Sequence, residues 1–146
     1  MSETYTWIEP KIDWYGYTDG NGVYFGDRFN SEDYNRIKNN LNYLHHIAQT
    51  IYPDFAISDM GQDKGKSEYP YADEINAIEN NLEIISQNTV GIDFGDPRTY
   101  SPQGKIFDYT ELNRIESATL SLYNKLINQY DGRRMFQFLL GTNGGI

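Results

Sequence analysis

The same phrase is written three times in this chain, as "FNSEDYNRIKNNLNYL" from Phe29, "PYADEINAIENNLEII" from Pro70 and "FDYTELNRIESATLSL" from Phe107. Aligned on Asn35, Asn76 and Asn113, each copy has an apolar residue one place before the Asn (Tyr34, Ile75, Leu112). An Ile follows two places after it (Ile37, Ile78, Ile115). The copies stand 41 and 37 residues apart, a spacing within the range of helical repeat units. Whatever fold the chain takes must accommodate three equivalent elements.

Each copy carries helix-start chemistry. Five places before the shared Asn stand Asn30, Tyr71 and Asp108, and three residues further on comes an acid, Asp33, Glu74 and Glu111. Asn30 and Asp108 suit an N-cap, whose side-chain oxygen accepts an orphan backbone N–H, and the acid is favoured by the helix dipole. Asp108 with Glu111 approaches a capping box, while Phe29, Pro70 and Phe107 are placed to staple onto Tyr34, Ile75 and Leu112. Tyr71 stands where a cap belongs and departs from the pattern. Apolar positions then step by three and four through Tyr34, Ile37, Leu41, Leu44, Ala48 and Ile51. The second copy continues through Ile75, Ile78, Leu82 and Ile85, and the third through Leu112, Ile115, Leu122, Leu126 and Ile127. That is one buried stripe per helix. Pro53 predicts a stop near Tyr52, and Asp131-Gly132 one near Tyr130. Beside the stripe, the amide of the shared Asn is expected to tie down the loop before its helix rather than to hold a ligand.

The expected fold is mainly α: three amphipathic helices across residues 29–132, an N-terminal β-hairpin or extended arm in 1–28, and a strand-like C-terminal tail in 133–146, together one domain. The hairpin is signalled by aromatic-rich segments on either side of Asp19-Gly20-Asn21-Gly22. The tail carries Met135, Phe136, Phe138, Leu139 and Leu140 before turning to Gly and Asn, which reads as a strand ending in a flexible or partner-bound terminus. Between the helices lie two connections, "PDFAISDMGQDKGKSEYP" and "VGIDFGDPRTYSPQGK", longer than ordinary loops.

Against 21 acidic residues stand 12 basic ones, and the resulting charge of −9 argues against a nucleic-acid surface. The absence of cysteine excludes disulfides and thiol chemistry. "MSETYTWIEP" has neither the basic residues nor the apolar run of a secretory signal, and no segment approaches membrane-spanning length, so a soluble protein made in the cytoplasm, without membrane insertion, is expected. Catalytic chemistry is sparse. His45-His46 are neighbours that point about 100° apart on a helix and cannot both ligate one metal from that geometry. The Asp19 loop with Asp27 lacks the alternating acids of a calcium loop and reads as a turn. Asp93 and Asp96 read as solvated loop acids rather than a hydrolase dyad. No catalytic residue, metal or cofactor is expected. Thirteen Tyr and two Trp are many for 146 residues. They cover a thin core, form contact surface, or stack on sugars, and the residues alone leave the three open.

The opening "TWIEPKIDW", with "FNSEDYNRIKNNLNYL", "YADEINAIENNLEII", "FDYTELNRIES" and the closing "FLLGTNGG", resembles a group of small tail- or baseplate-associated structural proteins of bacteriophages and prophages of Gram-positive bacteria. The resemblance covers most of the chain, and "YGYTDGNGVYFGDR" between Trp14 and Phe29 departs from it. It implies a non-enzymatic structural role in a virion tail, with the host cytoplasm as the place of assembly. On this reading Trp7, Trp14, Tyr15 and Tyr17 at one end, and Met135, Phe136 and Phe138 at the other, contact other tail proteins, and self-association into a ring or trimer fits a symmetric assembly. Asn35, Asn76, Asn113, Asp108 and Glu111 are expected to serve the helix starts. The alternative is a carbohydrate-binding accessory of the same particle that uses exposed Tyr and Trp.

Overall fold

Each repeat builds one helix. The computed structural model describes residues 6–68, 70–93, 95 and 109–142, excepting the side chains of 134 and 136–142. Its elements are a hairpin of β1 (Gly16–Thr18) and β2 (Tyr24–Gly26), then α1 (Ser31–Ile51), α2 (Ala72–Asn88) and α3 (Tyr109–Thr142). The strands pair antiparallel, with Tyr17 opposite Phe25, and the architecture is mainly α with an N-terminal hairpin.

Local chemistry sets the helix ends. The Asn30 side chain accepts from the Glu32 and Asp33 N–H groups, and Asp33 Oδ2 accepts from the Asn30 N–H at 3.1 Å, completing a capping box. α1 ends before Pro53, as expected. At α2 Tyr71 supplies no side-chain cap, and Glu74 Oε1 reaches back to accept the Tyr71 N–H at 2.8 Å. The start expected at Phe107 and Asp108 lies outside the described residues. α3 corrects two expectations. Instead of stopping near Tyr130 and giving way to a strand-like tail, it continues through Asp131-Gly132 to Thr142. Gly132 does not take the positive φ that a glycine stop requires, and within a helix it costs only about 1 kcal/mol relative to Ala.

The expected stripes are buried in full on α1 and α2, and on α3 all but the half-buried Ile127 join them in one cluster with Trp14 and Met60. Each helix contacts the other two. Arg36 of α1 meets Glu116 of α3, and further along both helices Tyr52 Oη donates to Gln129 Oε1 at 2.7 Å. α1 and α3 therefore run in the same direction. The α1–α2 connection passes Asn81 of α2 at Ser58, Lys38 of α1 at Gly61 and Asp63, and finally Asn35 and Glu74 at Lys64. It descends both helices together, so α1 and α2 are parallel too. A 21-residue helix is about 30 Å long, and an extended chain needs roughly ten residues to return that far. The long connection is a geometric requirement of a parallel bundle.

Asparagines hold these descending segments. Asn35 pairs with both peptide groups of Lys64, Asn113 with both of Trp14, Asn40 with both of Ile8, and Asn81 with both of Ser58, all between 2.7 and 3.0 Å. The amide thus ties down a segment distant in sequence, not the loop before its own helix. The expectation fails because a helix directs this side chain into the groove beside the stripe, where another segment lies. Asn40 and Asn81 stand five places after the shared Asn, and the residues they hold lie six before those held by Asn113 and Asn35, respectively. The 6–15 segment in the α1–α3 groove and the 53–65 segment beside α1 and α2 are therefore equivalent. An extended strip with no strand partner needs such pairing, because its buried N–H and C=O groups would otherwise go unsatisfied.

Candidate functional site

The charged groups closest to the core are taken up by the fold. One place after the shared Asn stand Arg36, Ala77 and Arg114, and three places after it Lys38, Glu79 and Glu116. Arg36 bonds Glu116 across α1–α3 at 2.7 and 2.9 Å, and Arg114 pairs with Glu79 across α3–α2. The third link of this ring, α2 to α1, is replaced. Ala77 offers no charge, and buried Lys38 donates instead to Asp63 at 2.5 Å and to the Gly61 carbonyl. Burial opposes the charge on Arg36 and Arg114, but their acidic partners outweigh it and hold both above the usual arginine pKa. The Lys38 hydrogen bond, followed by that of Asn39, lowers the Asp63 pKa. Glu111 bonds Arg114 within α3, and Asn76 is half-buried and engaged as well. These groups are structural.

The aromatic residues divide sharply. Trp14 is only 4% exposed; its indole donates to Glu116 Oε2 at 2.5 Å, and its ring packs near Phe29. It is a core residue, which corrects its expected place on a partner-binding arm. Trp7 is half-buried and stacks on Tyr123 at 3.9 Å, with Tyr43 tilted beside it, so the arm is bound into the bundle at this point. Segment 6–15 fills a groove that α1 and α3 cannot close alone. Tyr15 and Tyr17, in contrast, are 59% and 49% exposed. Alternation puts both on one face of the hairpin, and the register adds Phe25 opposite Tyr17, with centroids 5.4 Å apart. Phe25 was not among the expected contacts. The signal for it was the symmetry of the hairpin about Asn21, which sets position 25 against 17. Met135 is exposed on α3, and the side chains of Phe136 and Phe138 lie outside the described residues.

The turn that presents this face is locked. Asp19 Oδ1 accepts from the Asn21 and Val23 N–H groups at 2.9 Å each, so the carboxylate serves the turn. At the base, Asp27 Oδ2 accepts the Tyr15 N–H at 2.9 Å. The Tyr24 ring folds over Gly16 and its hydroxyl donates to the Asp27 carbonyl at 2.5 Å. Beneath the hairpin, a cleft of about 660 Å³ opens toward the first turn of α3, lined by Trp14, Tyr24, Phe29, Tyr109 and Leu112, with the charged Asp27 and Arg28 also in its wall.

Among the described residues, no group of three or more His, Asp or Glu is placed to hold a metal, and no helix is long and apolar enough to cross a membrane. Comparison with family models, with curated proteins and with solved structures finds no match to this chain.

Proposed function

We propose that this chain is a non-enzymatic structural component of a bacteriophage tail or baseplate that acts through protein–protein contacts, in the virion and, during assembly, in the host cytoplasm. The observation that carries the contact role is the aromatic face of Tyr15, Tyr17 and Phe25. Half-exposed rings on a turn fixed by Asp19 bury large apolar area while losing little conformational freedom, which suits interface anchors. The assignment to a tail rests on the resemblance of the repeated helix starts. Its partners are other tail proteins and further copies of itself in a ring or trimer.

The triple substitution Tyr15→Ser, Tyr17→Ser, Phe25→Ser tests this. It removes no buried side chain, so circular dichroism should be unchanged. Light scattering across a wide concentration range should show the wild type as an oligomer and the variant shifted to monomer, and incorporation into tail particles should be lost. A variant that assembles as well as the wild type would exclude this face as the contact.

A further inference from the structure

We infer that the cleft beneath the hairpin is a binding site for an acidic saccharide, a sugar ring that carries one carboxylate. The inference stands on residues separate from the proposed assembly face, apart from Tyr17, which touches both. A volume of about 660 Å³ lies within the range of small-molecule sites, and its walls are largely aromatic.

Arg28 supplies the specificity. In a chain where acids outnumber bases 21 to 12, its guanidinium has no carboxylate partner among the described residues. It sits over the Tyr24 ring at 5.3 Å instead. That ring is itself fixed by its hydrogen bond to the Asp27 carbonyl, so it biases the guanidinium toward the cleft wall before any ligand arrives. A planar fork of N–H groups matches a carboxylate in bidentate fashion. Asp27, in the wall of the same cleft, makes no ion pair with Arg28; its Oδ2 accepts the Tyr15 N–H and faces Lys11 at 3.5 Å, and that ammonium offsets part of its charge.

The remaining lining selects the rest of the ligand. Ring faces offer apolar surface to the C–H side of a sugar, and the Thr18 and Tyr109 hydroxyls donate to or accept from its hydroxyls. The net charge of −9 disfavours polyanions, so a ligand with a single negative charge fits better than a nucleic acid or polyphosphate.

The test is titration of the full chain with D-glucuronate, followed by the two indole N–H signals in nitrogen-correlated NMR spectra. D-glucuronamide, of the same shape without the charge, and benzoate, charged but without hydroxyls, are run in parallel. Saturable shifts of the Trp14 indole with glucuronate, weakened about tenfold or more for glucuronamide and in Arg28→Gln, are the expected result. Arg28 is exposed, so the variant should keep the wild-type helical spectrum. No saturable shift with glucuronate, or binding indifferent to Arg28→Gln, would overturn the site. Benzoate binding as tightly as glucuronate would overturn the saccharide. None of these outcomes bears on assembly, which the hairpin variant tests separately.

Discussion

At the scale of single residues, the repeat is a set of polar positions as much as an apolar stripe. Asn35 and Asn113 are visible in the alignment, but their partners Lys64 and Trp14 lie 29 and 99 residues away, and no local pattern announces such a pairing. Their burial and orientation follow from the helix period; the identity of what they hold does not. Tyr34 shows how a stripe residue couples the core to pH. Burial, followed by the nearby charges of Glu74 and Asp73, pushes its pKa up to about 12, above the ordinary value near 10. The folded state thus favours the protonated phenol, so the stabilisation is complete below about pH 10 and is lost as pH rises toward 12. The loss amounts to about 2–3 kcal/mol. Tyr34→Phe removes this term while giving up only a long hydrogen bond to the Met60 carbonyl, 3.4 Å. Urea unfolding at pH 9 and pH 11.5 should show a drop in the wild type that is smaller by about 2 kcal/mol in the variant. Equal drops would mean that Tyr34 does not titrate with unfolding.

At the scale of elements, the readings that depended on nearest neighbours in sequence held. The Asn30 cap and the hairpin turn each rest on side chains within four residues of the backbone groups they satisfy, and the stop before Pro53 rests on a proline that has no N–H to continue the helix. The C-terminal strand failed because an apolar run without proline does not distinguish a strand from the continuation of a helix, and a glycine stop needs a backbone conformation that Gly132 does not adopt. The hairpin depends on a different glycine. Gly26 has φ 119°, and a Cβ there would lie 2.5 Å from Gly16 Cα and from the Tyr15 carbonyl oxygen. Gly26→Ala should therefore open the hairpin at a cost above about 1 kcal/mol. The ring-current shifts of Tyr17 and Phe25 should disappear from the NMR spectrum while the helical circular dichroism signal stays. Gly20→Ala has nothing within 4 Å of the new atom and should leave those shifts in place. Loss of shifts in both variants would place the cause in the turn rather than at the strand crossing.

At the scale of the whole molecule, parallel helices from one chain require descending connections between them, and a further segment that runs the same way precedes α1. Segment 6–15 closes the groove between α1 and α3: Ile8 satisfies Asn40, the Lys11 N–H reaches Glu116 at 3.1 Å, and Trp14 fills the core and satisfies Asn113. What composition marks as an aromatic arm is thus the piece that completes the bundle, and a chain beginning at Phe29 would retain every helix yet lose the closure. It would also leave Asn40 and Asn113 without the peptide groups they pair with, and such losses cost about 1–3 kcal/mol for each buried group left unsatisfied. Against a total stability of about 5–15 kcal/mol, removing several such groups together with the Trp14 ring is enough to abolish the fold. The truncated chain should therefore bind a hydrophobic dye and lose its cooperative urea transition, and a separate peptide of residues 6–28 should restore that transition when added in trans. If the truncated chain unfolds at the same urea midpoint as the intact protein, the segment is an appendage after all, and the three helices alone carry the stability.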